Sequence, residues 1–330
     1  MKNSQSSKLS DNARELGLLG FIVVLALLFQ LRNPEFLTFS NLRDLLNNTA
    51  ILGVLSVGMM MILLTGGIDL SIGATIAFSG MVTALTVSAY PTISPILSLA
   101  EGTLVGVVVG VIVGFLVAYC KILPIIASLG MMNIVRGLTY LVSKGKWVSA
   151  YQMSDGFKAI STGATLGISN LILIAIVIYV IFAYFLSSTR TGRYIYAVGS
   201  SPDTADVVGI PRKRILLLVY TTMGALAGLA GVLWVSRYAS AQGDTAQGYE
   251  MSVIAAVVLG GVSVSGGRGK VIGIILGTIL FGMLNNALPL INISPFWQQA
   301  IQGVVILLAV ISNVLIKRNN DRMTLRRRAI

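Results

Sequence analysis

The sequence predicts an all-α polytopic membrane protein of about ten transmembrane helices, with both termini cytoplasmic and some helices broken at glycine-rich points. Three observations carry that expectation. Of the 330 residues, 55% are hydrophobic and only 11% charged, against roughly a quarter charged in a soluble domain. Apolar runs of about 20 residues recur along the chain, each long enough to cross a hydrocarbon core roughly 30 Å thick. The basic residues flank such runs: one cluster is Lys317, Arg318, Arg322, Arg326, Arg327 and Arg328, and another is Arg190, Arg193, Arg212, Lys213 and Arg214.

The net charge of +12, from 24 Lys+Arg against 12 Asp+Glu, has two readings: nucleic-acid binding, or cytoplasmic loops that follow the positive-inside rule. Position decides for the loops, because neither cluster forms a basic patch interleaved with aromatics. No nucleic acid is expected as a partner; membrane lipid is. Cys120 is the single cysteine, which excludes a disulfide framework or a thiolate metal cluster within the chain, and there is no histidine. Ser-His-Asp and Cys-His catalysis, HExxH zinc sites and haem ligation by His are thereby removed. No cofactor, metal site or catalytic residue is expected.

The elements follow in chain order. A polar, basic stretch, Met1 to Arg14, precedes apolar Leu16 to Leu31. No small-x-small cleavage site follows, so this reads as an uncleaved first span. Further spans fall near 49–66, 70–89, 96–119, 123–142, 168–187, 215–237, 250–264, 271–291 and 298–316. Of these, 49–66 and 250–264 are short enough to be broken or re-entrant. The organisation is thus a tail at 1–15, a transmembrane domain at 16–316 with a cytoplasmic loop at 188–214, and a basic tail at 317–330. Termini inside also place Lys121, Arg268 and Lys270 inside, while 32–48 and 143–167, with Lys144, Lys146 and Lys158, fall outside against the rule. Small residues four apart (Gly102, Gly106, Gly110 and Gly114; Gly224 and Gly228; Gly273 and Gly277) predict close helix contacts, either within the bundle or at a dimer or pore surface.

Several polar residues are candidates for function. Gly66 and Gly67 permit a helix break, and Asp69 and Ser71 follow it. A carboxylate between apolar runs is expensive unless paired, wetted or interfacial, and Asp69 reads equally as a helix cap or a functional group. Arg136 inside its span reads as snorkelling, structurally paired or cavity-lining. Asn285 and Asn286 read as interhelical hydrogen-bonding groups or solute contacts. The run Gly260 to Lys270 imitates a phosphate-binding loop, but Val271 stands where Ser or Thr is needed and Val264 where the first glycine is needed. Energy for active transport would therefore come from a partner or an ion gradient. In the 188–214 loop, Pro202-Asp203 predicts a short helix ending at Gly209.

The segments Thr65 to Gly73 (TGGIDLSIG), Thr191 to Val198 (TGRYIYAV), Ala255 to Gly261 (AAVVLGG), Gly266 to Lys270 (GGRGK) and Leu284 to Ala287 (LNNA) resemble the permease subunits of bacterial monosaccharide ABC importers, the ribose, xylose, galactose, rhamnose and autoinducer-2 type. The similarity covers nearly the whole length. It implies an inner-membrane permease that passes a monosaccharide or similar polyol by alternating access. Cytoplasmic ATPase subunits, a periplasmic or lipid-anchored sugar-binding protein and a second permease, identical or a sister chain, would be its partners. By the same resemblance, Asp203, Thr204, Ala205, Gly209, Ile210 and Pro211 would form the ATPase-coupling helix, although Thr204-Ala205 and Gly209-Ile210-Pro211 depart from the full EAA-G pattern. Gly66, Gly67, Asp69, Ser71, Arg136, Asn285 and Asn286 would border the translocation pathway or its gate. The alternative is an ion-coupled secondary transporter or channel without an ATPase. Asp69 and Arg136 would suit proton coupling, but the predicted topology sets them toward opposite ends.

Overall fold

In the computed structural model, residues 3–294 and the scattered positions 296–301, 303, 304, 307 and 311 are described, with side chains from Arg14 onward. Eight helices among them are long and apolar enough to cross a membrane. These are α1 (Asn3–Arg32), α2 (Phe39–Leu64), α3 (Ile72–Ala89), α4 (Pro95–Ala118), α5 (Pro124–Ser143), α7 (Asn170–Ser188), α10 (Arg212–Tyr238) and α12 (Val271–Leu290). Between them lie α6 (Asp155–Thr162), a two-stranded hairpin of β1 (Ala164–Thr165) and β2 (Ile168–Ser169), and the short helices α8 (Arg190–Ser200), α9 (Pro202–Val207) and α11 (Tyr249–Leu259). The expected count of ten spans is corrected for the region 250–264. Its helix α11 has 11 residues, about 16 Å at the α-helical rise, roughly half the hydrocarbon thickness. The run 298–316 lies mostly, and the tail 317–330 wholly, outside the described residues.

Helix α2 is the axis of the bundle. Every residue from Thr49 to Leu64 is buried, as expected of a helix that is apolar on all faces. It packs against α7, α10, α11 and α12, while α1 lies outermost against α12. The glycine rows predicted to pack do so inside the chain. Gly106 and Gly110 of α4 meet Gly224 and Gly228 of α10 backbone to backbone, and Gly277 of α12 meets Ala256 and Gly260 beside α11. Lipid gives no hydrophobic drive for such association, so close van der Waals approach of small residues supplies it.

The two ends of the bundle differ. One end, termed the basic end, gathers Arg14, Lys121, Arg212, Lys213, Arg214 and Lys270 around the ends of α2, α4 and α10. At the far end, α6 lies over α10: Ser161 Oγ donates to Leu233 O (2.9 Å), and Ser236 Oγ donates to Phe157 O (2.8 Å).

Candidate functional site

Two irregular stretches interrupt the bundle, and each is built differently. The first follows α2. Gly66 N–H donates to Leu63 O (2.9 Å) and Gly67 N–H to Ile62 O (3.0 Å), and Gly66 lies at φ +77°. A left-handed residue there closes the helix end, and glycine adopts it without a Cβ penalty. The chain then runs through Ile68 to Ser71. Asp69, 3% exposed, accepts at Oδ1 from both Ser71 N–H (2.8 Å) and Ser71 Oγ (2.6 Å). Its carboxylate thus closes a tight turn that leads into α3.

Three distant segments converge on the end of α2. The last carbonyl of the helix, at Leu64, accepts from Gly267 N–H (2.9 Å). Gly199 of α8 packs flat on the same carbonyl, so that any Cβ at Gly199 would collide with backbone. Tyr196 Oη of α8 donates to Gly269 O (2.9 Å), and Arg14 Nη1 donates to Gly261 O (3.0 Å). Segments 65–73, 191–199 and 260–270, remote in sequence, are therefore one interlocked junction at the basic end.

A cavity of about 1090 Å³ opens beside that junction. Its lining includes the break itself, with Thr65, Gly66, Gly67 and Tyr220, and also Asp206, Pro211 and Arg212, at and just beyond α9. Tyr220 is fully buried, and its hydroxyl has no hydrogen-bond partner among the described residues. That hydroxyl lies against Gly67, where an added Cβ would stand 2.5 Å from it. The helix predicted in the 188–214 loop is α9, capped by Ser201, with Gly209 at φ +78° after it. Asp203 and Thr204 lie in its first turn, Ala205 packs into the core, and Asp206 meets Arg212 at 3.7 Å.

The second irregular stretch, 239–248, joins α10 to α11. It leaves the far end of the bundle, where Ala241 pairs with Val148, and turns back inward. Arg136 Nη1 of α5 donates to Gly243 O (2.9 Å) and Thr245 O (2.8 Å). Ala246 O and a Glu250 carboxylate oxygen then reach the first turn of α3, each 2.5 Å from where a Cβ on Gly73 would stand. Arg136 faces the acidic Glu250 and Asp244. The two breaks thus meet near Gly73, α3 starting from one and α11 from the other.

Of the residues singled out in the sequence, Gly66, Gly67, Asp69 and Ser71 cluster at the first break, and Arg136 serves the second. Asp69 and Arg136 form no pair with each other. Asn285 and Asn286 belong to neither. They sit near the far end of α12, where Asn286 and Asn41 exchange two side-chain hydrogen bonds (2.9 and 3.0 Å) that tie α12 to α2. Asp244, Gln247 and Glu250 were not singled out. The cue for them was present: a polar run from Ser240 to Glu250 ahead of an apolar stretch too short to span.

The chain matches the family described as branched-chain amino acid transport system / permease component over residues 41–310. It is 39% identical over 297 residues to the ribose import permease protein RbsC of Bacillus subtilis, covering 90% of each chain. It is 36% identical over 296 residues to the ribose import permease protein of Escherichia coli K12, covering 89% of this chain and 91% of the relative. It is also 36% identical over 306 residues to the L-arabinose ABC transporter permease protein AraH of Azospirillum brasilense, covering 92% and 89%. No solved structure matches this chain.

Proposed function

We propose, from the premise that this chain belongs to the branched-chain amino acid transport system / permease component family, that the solute it passes is a monosaccharide of the pentose class. As a member of that family the chain is a multi-pass membrane permease, a transport subunit rather than an enzyme. The observation that carries the choice of solute is its 39% identity, over 90% of both chains, to a permease named for ribose. The relative named for L-arabinose agrees, whereas the family description naming amino acids covers a wider group.

The partners follow as part of the same proposal: cytoplasmic ATPase subunits of the ABC class, a sugar-binding protein outside the inner membrane, and a second permease chain. The gathering of cations at the basic end supports its assignment to the cytoplasm. The helix α9 with Gly209, Ile210 and Pro211 is the ATPase-coupling element in this reading. The cavity supports it physically, because the coupling element and the helix break share its walls. A displacement of α9 would reach the helix break through α8, which α9 follows and packs against and whose Gly199 sits on the last carbonyl of α2. Affinity for sugar would reside in the binding protein, so the pathway needs only weak polar contacts. The test is ATPase stimulation of the assembled complex in detergent. Ribose- or arabinose-loaded binding protein should raise hydrolysis severalfold; stimulation by a leucine-loaded binding protein and not by the sugar-loaded ones would overturn the choice of solute.

A further inference from the structure

The stretch 239–250 carries chemistry that the pathway described above does not use. Its depth is fixed by its contacts. Arg136, which holds Gly243 and Thr245, stands about two turns inside α5 from Ser143. Ala246 reaches Gly73 at the start of α3, a helix of 18 residues that spans about 27 Å. Segment 239–248 is thus non-helical backbone at bilayer depth. Such backbone survives only where it is buried in protein or lines a wet space, and a charged side chain there cannot face acyl chains without a cost of several kcal/mol. Yet Asp244 and Gln247 are both exposed on this chain, beside exposed Met251. Their surroundings are therefore a wet space or another protein surface and not acyl chains.

The helices that flank the stretch, α10 and α11, carry aromatic rings at its two ends. Trp234 packs edge-on against Tyr249 with ring centroids 5.0 Å apart, and lies 5.2 Å from the ring of half-exposed Tyr238. A carboxylate accepts from two hydroxyls, an amide both donates and accepts, and an aromatic face takes the apolar side of a sugar ring. We propose that Asp244 and Gln247 are solute-contacting residues that bind hydroxyl groups of the passing polyol, with Arg136 as the positioning residue that holds their segment. This inference rests on the sugar-permease reading and assigns the pathway's own weak polar contacts to 239–250, with the main affinity left to the binding protein.

The test uses the full complex of permease, ATPase and sugar-binding protein in proteoliposomes, with ribose and 2-deoxyribose as probes. Asp244→Asn and Gln247→Ala should lower ribose moved per ATP at least fivefold and narrow the preference for ribose over its deoxy analogue, while ATPase activity stays within about twofold. A second measurement is independent of turnover. With Cys120→Ser removing the single native thiol, Gln247→Cys should react with a membrane-impermeant, water-soluble maleimide, and ribose with ATP should slow that reaction. Val177→Cys, on the exposed apolar face of α7, should not react. Failure of the wild-type complex to move any sugar would sink the permease reading itself. A working wild type would sink this inference alone if the Asp244 and Gln247 variants kept its ribose preference, or if Gln247→Cys stayed unlabelled or was labelled without any effect of ribose.

Discussion

The two breaks in the bundle are held by opposite means. At the α2 end, backbone meets backbone at the centre: Leu64 O is fixed by Gly267 N–H and covered by Gly199, while Tyr196 and Arg14 tie the surrounding 260–270 segment through Gly269 O and Gly261 O. At 239–248, one guanidinium holds two carbonyls. A junction of interlocked glycines has no rotamers to change and moves as a unit or not at all. The 239–248 stretch is pinned at its far end by the paired backbones of Ala241 and Val148, and beyond that pair its Gly243 and Thr245 carbonyls hang on one long side chain and can shift when it does. The first therefore suits transmission from α9, and the second suits contact with a changing solute.

The sharpest way to break this comparison is to put a side chain into the junction. Gly199→Val must push Leu64 and Gly267 apart, at a cost of about 3 kcal/mol or more. The expected result is loss of a monodisperse purified complex and of uptake; a stable, active variant would show that the junction is not interlocked. Next is Arg136→Met, which keeps the volume and removes both donations. With the Gly243 and Thr245 carbonyls losing a charged donor beside a wet space, the cost is about 1–3 kcal/mol. Hydrogen exchange should rise in 240–250 and stay unchanged in 62–71, and uptake should fall at least tenfold. Equal loosening of both stretches would erase the distinction between them.

Gly209 offers a smaller and more selective change. Nothing lies within 4 Å of a Cβ there, but its φ is +78°, so Gly209→Trp costs only about 1 kcal/mol of backbone strain. The chain should insert and purify normally while ATPase subunits no longer co-purify; retained association would remove α9 and its flank from the coupling role. Smallest is Asp69→Asn. Both bonds from Ser71 go to Oδ1, and an amide oxygen accepts the same pair, so thermal stability should change by less than about 1 kcal/mol and uptake by less than twofold. Asp69→Leu loses both bonds and should lower uptake severalfold. A severe defect in the Asn variant would assign the carboxylate a charge-dependent role in the pathway.

The spans were legible in the sequence wherever an apolar run was long, and the break at Gly66-Gly67 and the helix after Pro202 were legible from their punctuation. The packing glycines were legible as a pattern, although only the structure pairs Gly106 and Gly110 with Gly224 and Gly228 rather than with another chain. The shortness of 250–264 was legible as a broken or re-entrant span, but its end was not, because hydropathy does not register that the chain turns back at Gly260 and Gly261. Arg136 was visible as an anomaly, but its acceptors are backbone carbonyls 107 and 109 residues away, and no residue type marks a carbonyl. The junction was hidden for the same reason: Leu64, Gly199 and Gly267 meet through main-chain atoms. Asn286 carried the opposite ambiguity, since an asparagine suited to a solute is equally suited to Asn41.

In this reading the permease passes a pentose under the power of a partner's ATP. Uptake of radiolabelled ribose and arabinose into proteoliposomes bearing the permease, its ATPase and its sugar-binding protein tests it directly. The expected result is accumulation that requires ATP and the binding protein and is lost in the Gly209→Trp complex. Accumulation driven by an ion gradient without ATP, or transport of leucine in place of either sugar, would contradict it.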